Sequence, residues 1–255
     1  MTDALRLPGR YYRIYPSDAM LGHATHDLIL PLRETALLLV DVYGRQYDDD
    51  PPSQDGLPAV YRSGPDDTAR AIVRDRIVPA RAAARRAGLR VIYLTNALRA
   101  GLSEGNEWRT MSVRTCGVDV LDAWQEPNDI LAFSDIIAPG PAERLIEKQV
   151  YSGFFETHLD STLRGFGIRN LVVAGGDGLI CLGTTCIDAM YRDYRVVGLR
   201  DAILSGEWPE TREGAWRGFM AIRQIETTVG YTATTDEFIS ACDAIAAATP
   251  GRPMA

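Results

Sequence analysis

Residues 171–189 read LVVAGGDGLICLGTTCIDA, and this stretch decides the fold. It opens on an apolar run, Leu171-Val172-Val173-Ala174, suited to a strand buried on both faces. Gly175-Gly176-Asp177-Gly178 follows, glycines around one acid that can take backbone angles closed to most residues. Helical spacing then begins, with Ile180, Thr184, Ile187, Met190 and Tyr191 on one repeat. A parallel strand, a glycine turn and a helix put the helix start at the carboxyl end of the sheet, where open α/β sheets bind ligands. Cys181 falls in that first turn, where free N–H groups and the helix dipole favour an anion. The expectation is a thiol of lowered pKa, partly thiolate near neutral pH. The plain alternative is a small buried cysteine packed on the sheet.

Composition bounds what such a unit can belong to. At 255 residues, 46% of them hydrophobic and 24% charged, the chain can bury one sizeable α/β core, read here as a single domain over 35–255. Residues 1–34 are polar and aromatic, and Pro8, Pro16 and Pro31 break any helix. They are expected to form an arm lying on the domain or on a neighbouring subunit, with His23 and His26 at its surface. A net charge of -7 argues against a nucleic-acid partner. No run reaches the ~20 apolar residues of a membrane helix, and the start lacks a signal-peptide core. Cys116, Cys181, Cys186 and Cys242 form no C-x-x-C pair, which fits reduced thiols in a cytoplasm. With only three histidines and no ligand spacing, neither a metal nor another cofactor is expected.

Working outward, Thr35 to Asp41, TALLLVD, is a second buried strand that delivers Asp41 to the same rim as Cys181. An acid there also serves as an ordinary turn cap. Tyr43 to Gly64 reads as a polar loop, a lid or an oligomer contact, and Tyr47 within it is a candidate substrate contact. Asp66 to Gly88 is a helix, and Leu89 to Thr95 a strand that puts Asn96 at the rim. Asn96 there can orient a polar substrate or simply form a turn. Arg99 to Glu107 reads as a loop, Trp108 to Trp124 as partly helical, and 126–142 as a loop with Cys116 structural. Arg144 to Gln149 is a short strand ending near Lys148, followed by Tyr151-Ser152-Gly153-Phe154-Phe155, an aromatic cluster suited to a pocket wall. Tyr151 and Phe154 are its candidate substrate contacts. Glu156 to Gly167 and Glu210 to Ile222 read as helices, Arg195 to Leu199 and Gln224 to Val229 as strands, and Thr235 to Ala248 as a terminal helix. Alternating strands and helices imply a doubly wound parallel sheet covered on both faces.

Three strand ends therefore offer Asp41, Lys148 and Cys181. A thiolate can attack a carbonyl carbon, an acid can move the proton to a leaving amine, and a lysine can hold both charges. A glycine turn can aim N–H groups at the oxyanion.

LLLVD ending at Asp41, Lys148 with Tyr151-Ser152-Gly153-Phe154-Phe155, and LVVAG with Cys181, Thr185, Asp188 and Ala189 together resemble the isochorismatase-like cysteine hydrolase superfamily. Within it, residues 151–175 are most similar to the ureidoacrylate amidohydrolase branch. The resemblance implies a Rossmann-like three-layer sandwich with a six-stranded parallel sheet and an Asp41–Lys148–Cys181 triad. It further implies a cis peptide at Gly176-Asp177 and an oxyanion hole from the N–H groups of Asp177 and Cys181. The implied activity is cysteine-dependent hydrolysis of a C–N bond in a small ureido or carbamoyl amide, by a homo-oligomer. An acid at position 177 departs from the family pattern, and it would raise the thiol pKa unless it points away or pairs with a cation. Two other readings stand beside this one: a catalytically idle binding protein of the same fold, and a dinucleotide-binding protein using the Gly175–Gly178 turn.

Overall fold

The computed structural model describes residues 3–49, 67–97, 107–117, 119 and 131–248. Among these, eight strands form one sheet: β1 (Ala4–Arg13), β2 (Gly22–Pro31), β3 (Thr35–Val40), β4 (Arg90–Asn96), β5 (Arg144–Lys148), β6 (Asn170–Gly176), β7 (Arg195–Leu204) and β8 (Tyr231–Ala233). Their order is β2-β1-β8-β7-β6-β3-β4-β5. The six from β8 to β5 are all parallel, the sheet the resemblance implies. β3 and β6 are buried along their whole length and pair with each other, so the two stretches that open the sequence argument form the middle of the molecule.

The helices are α1 (Asp67–Ile72), α2 (Val78–Ala87), α3 (Glu107–Cys116), α4 (Leu159–Gly165), α5 (Cys181–Tyr191), α6 (Trp216–Gln224) and α7 (Thr235–Ala248). A π-helical turn, Val73–Ile77, joins α1 to α2. Alternate residues of β3 and β6 feed two separate cores. Leu37, Leu39, Val172 and Ala174 pack with Ile77 and Ala84 and with Phe238 and Cys242 of α7. Leu38, Val40, Leu171 and Val173 pack on the other face with Leu163 of α4, Leu182 and Cys186 of α5, and Ala221 of α6. The fold is the doubly wound α/β sandwich. Among the described residues no helix is long and apolar enough to cross a membrane.

Two expectations change. Residues 4–31, part of the 1–34 stretch read as an arm on the domain or on a neighbouring subunit, are the antiparallel hairpin β1–β2 that extends the sheet beyond β8. The reason is burial: Leu5, Leu7, Leu28 and Leu30 enter the α7-side core, each stabilising by about 1.5–3 kcal/mol. Glu226, buried, accepts hydrogen bonds from Arg10 Nε (2.6 Å) and Thr232 Oγ1 (2.7 Å) and meets His23 Nε2 at 3.2 Å, tying the hairpin down. Residues 224–229, read as the last strand, continue α6 as a π-helical turn (Ile225–Val229), and the strand begins only at Tyr231. Ile225 belongs to the core on the α5 side, which holds the turn in place despite its β-branched composition. Gly230 then passes so close to β7 that a Cβ there would lie 2.4 Å from the Val196 carbonyl oxygen.

The helix expected over 156–167 is confined to Leu159–Gly165, and that over 210–222 starts at Trp216. The 99–107 loop up to 106, the loop from 50 to 64, residues 120–130 and the Cys116 side chain lie outside what is described.

Candidate active site

β3 ends at Val40, and Asp41 follows it with the left-handed φ of +48°, uncommon outside glycine. Next to it, Gly175 has φ +108°, and a Cβ there would stand 2.0 Å from the Val40 carbonyl oxygen. Only glycine lets the end of β6 come this close to the end of β3, and that approach sets the glycine turn beside Asp41. β5 brings Lys148 to the same rim, fully buried. Its Nζ lies 2.8 Å from Asp41 Oδ2, donates to Asn96 Oδ1 at the end of β4, and reaches the Val150 carbonyl at 3.4 Å. A buried ammonium thus finds its acceptors on neighbouring strand ends.

Cys181 is the first residue of α5, half-buried, and its thiol interacts with both Asp41 and Lys148. Asp41 Oδ1 is buried and has no hydrogen-bond partner. Asp41 and Lys148 thus meet as an ion pair at the rim, and both act on the Cys181 thiol.

The thiol itself differs from expectation. Burial first, and then the negative charge of Asp41, push the Cys181 pKa up to about 12 against the attraction of Lys148. The helix start does not lower the thiol pKa here, because burial and the neighbouring carboxylate outweigh it. Asp41 is raised in turn, by burial that outweighs the pull of Lys148. A neutral thiol beside a carboxylate of enhanced basicity is the arrangement for proton transfer on attack.

The peptide bond between Gly176 and Asp177 is cis. Hydrogen bonds close the turn through Gly178 N to Leu204 O (2.8 Å), and through Ile180 N and Leu182 N to Asp177 O. The N–H groups of Asp177 and Cys181 are given to no described acceptor. The Asp177 carboxylate pairs with a cation: Oδ1 accepts from Leu179 N (3.0 Å) and from Arg217 Nη2 (2.9 Å).

The expected substrate contacts are dispersed. Asn96 is buried, spending its oxygen on Lys148 and its Nδ2 on the Tyr43 hydroxyl at 2.5 Å. Phe154 is buried beside Tyr194 with Arg192 over its ring, whereas Phe155 is exposed. Tyr151 is half-buried with its ring edge toward Trp108, 6.3 Å away. Tyr47 is half-buried against the α7-side core, and its N–H donates to Ser134 Oγ at 3.2 Å. The small residues of the 151–155 motif are anchors: Ser152 donates to Asp188, and Gly153 N to Thr185 Oγ1 at 2.9 Å. Both acceptors belong to α5.

Sequence reasoning passed over Tyr43 and Arg217. Tyr43 lies two residues beyond Asp41, a signal that was available, and burial and the charges of Asp41 and Cys181 hold its hydroxyl well above the usual range. Arg217 is 40 residues from Asp177 and carries no local signal. Among the described residues no group of three His, Cys, Asp or Glu side chains is placed to hold a metal ion.

Comparison with known proteins adds to this geometry. The family model described as the isochorismatase domain matches residues 35–237. The ureidoacrylate amidohydrolase RutB of Stutzerimonas stutzeri (strain A1501) is 34% identical over 235 residues, covering 87% of this chain and 86% of its own. The RutB of Variovorax paradoxus (strain S110) is 30% identical over 250 residues, covering 92% and 90%. In fold, the chain is similar to a cysteine hydrolase from Pseudomonas syringae pv. phaseolicola 1448A, with TM-score 0.69, 24% identity and coverage of 85% and 95%. It is also similar to the N-carbamoylsarcosine amidase of Thermoplasma acidophilum, with TM-score 0.54, 24% identity and coverage of 80% and 97%.

Proposed function

The chain belongs to the isochorismatase family, and from that membership we propose a cysteine-dependent amidohydrolase that cleaves the C–N bond of a small ureido or carbamoyl amide. The observation that carries the reading is Asp41: Oδ2 is held by Lys148, Oδ1 is buried with no hydrogen-bond partner, and the carboxylate interacts with the Cys181 thiol.

In the proposed reaction Asp41 Oδ1 takes the thiol proton as Cys181 Sγ attacks the carbonyl carbon. The N–H groups of Asp177 and Cys181 receive the oxyanion. Asp41 returns the proton to the leaving nitrogen, which departs as an amine or as ammonia and leaves a thioester on Cys181. Water then attacks the thioester with its proton passing to Asp41, the acid product leaves, and the thiol is restored. Lys148 keeps a carboxylate stable beside the developing thiolate. Asn96 holds Lys148, and Tyr43 holds Asn96. The similarity to ureidoacrylate amidohydrolases supports a ureido substrate.

The test is ammonia release by purified protein across ureidoacrylate and other ureido acids, biuret, carbamoyl amines and simple amides, with Cys181→Ala as control. Turnover of a ureido or carbamoyl compound that disappears in Cys181→Ala is expected. A fully active Cys181→Ala protein would overturn the thioester mechanism, and a wild type inert toward the whole panel would favour the catalytically idle alternative.

A further inference from the structure

We infer that Arg217 is a positioning residue for acyl transfer, holding the turn whose Asp177 N–H faces the oxyanion; the inference rests on the function proposed above. Arg217 is the second residue of α6 and is buried. Its Nη2 bonds Asp177 Oδ1 at 2.9 Å, and its Nη1 donates to the Gly206 carbonyl in the segment after β7. The Trp208 ring lies under the guanidinium, 4.6 Å from ring centre to Cζ. Glu207 fixes the helix start from which Arg217 projects, accepting from Arg217 N (3.0 Å) and Gly218 N (2.8 Å).

One cation therefore joins the glycine turn, the segment after β7 and α6. Asp177 Oδ1 is shared between Arg217 and the N–H of Leu179, so the ion pair also fixes the Asp177 side chain against its own turn. Charge-assisted hydrogen bonds of this kind resist rotation. A shift of about 1 Å in a donor that must meet a developing oxyanion costs on the order of a hundredfold in rate. The pair accounts for an acid at position 177, beside the oxyanion turn, without giving it a proton to move. It also separates two properties of Cys181. Alkylation of the thiol responds to the charges of Asp41 and Lys148 but uses no oxyanion hole, while acylation needs all of them.

The experiment measures two rates on the full chain at one pH: the acylation burst with p-nitrophenyl acetate, and alkylation of Cys181 by iodoacetamide. Arg217→Met is expected to lower the burst rate tenfold or more with the alkylation rate unchanged, and Arg217→Lys, which can still pair with Asp177, to recover part of it. Asp177→Ala should reproduce the loss, and the Asp177→Ala/Arg217→Met double variant should be no slower than the slower single one. An unchanged ratio of burst to alkylation in Arg217→Met, or multiplicative losses in the double variant, would overturn the inference. If Arg217→Met does not fold, Asp177→Ala carries the same comparison, since it leaves the bond from Arg217 to Gly206 in place. A wild type whose burst survives Cys181→Ala would instead remove the function on which the inference rests, and the inference with it.

Discussion

The Gly153 N–H donates to Thr185 Oγ1 across 2.9 Å, and this bond joins the motif that follows Lys148 to the helix that begins with Cys181. Ser152 makes the parallel bond to Asp188 one turn further along α5. The loop after β5 is thereby stapled to the helix that begins with Cys181, so Lys148 and Cys181 share a rigid support. Gly153 is also close-packed, since a Cβ there would meet Leu94 Cδ1 at 2.4 Å.

Thr185→Val keeps the volume but leaves the buried Gly153 N–H without its acceptor. The expected cost is about 1–3 kcal/mol of stability, together with a fall in turnover. Urea denaturation beside the steady-state rate checks this. Unchanged stability would mean that the loop finds another acceptor.

Asp41→Asn should separate two readouts. Acyl transfer should fall by about a hundredfold or more, because the proton acceptor is lost. The thiol, however, loses the negative charge that helps hold its pKa near 12, so iodoacetamide alkylation should move to lower pH. An alkylation profile that moves to higher pH would contradict the electrostatics described for the site.

Lys148→Ala should destabilise the protein by about 3–5 kcal/mol at neutral pH, because Asp41 is left charged and unpaired in the interior. The pH dependence follows from Asp41. Its pKa is raised in the folded protein, so the folded state binds the proton more tightly, an advantage that is full below the unfolded value and lost as pH rises through the folded one. Removing the ammonium raises Asp41 further. The deficit relative to wild type should therefore shrink as pH falls from neutral toward 5. Denaturation midpoints at several pH values decide it, and a constant deficit would show that Asp41 does not carry the charge.

Cys186 and Cys242 are buried, and burial pushes both thiols up to about 12 from an ordinary value of 9.0. Between those limits the unfolded chain loses thiol protons that the folded chain keeps, so stability falls as pH rises above 9 and the loss is complete near 12. Each thiol contributes roughly 1 kcal/mol per pH unit to that slope. Cys242→Ala should reduce the slope by about that amount over pH 9–11, whatever its offset at neutral pH. An unaltered slope would mean that the thiol ionises in the folded state.

Asp41, Lys148 and Cys181 were legible because each closes a strand or opens a helix, and parallel strands deliver such ends to one rim. The hairpin over residues 4–31 was not, since its leucines alternate among charged and aromatic residues and its prolines suggest irregular chain. The strand misread over 224–229 failed for a related reason: Ile225, Thr227 and Val229 have β-branched side chains, but the packing of Ile225 beside α5 held them in a helical turn. Phe154 and Asn96 looked like pocket residues because aromatic and amide side chains at a rim suit ligands, yet one is spent on the core and the other on Lys148.

The sequence by itself determined the doubly wound sheet and the rim that carries Asp41, Lys148 and Cys181, because runs such as 35–40 and 170–176 are buried as central parallel strands, and the glycine turn at 175–178 follows one of them. Tertiary structure alone decided the state of the thiol and the partner of Asp177. Desolvation depends on everything packed around Cys181, and the Asp41 charge reaches it only after β3 and β6 are side by side. Arg217 meets Asp177 across 40 residues of chain, through a contact that neither local spacing nor periodicity encodes.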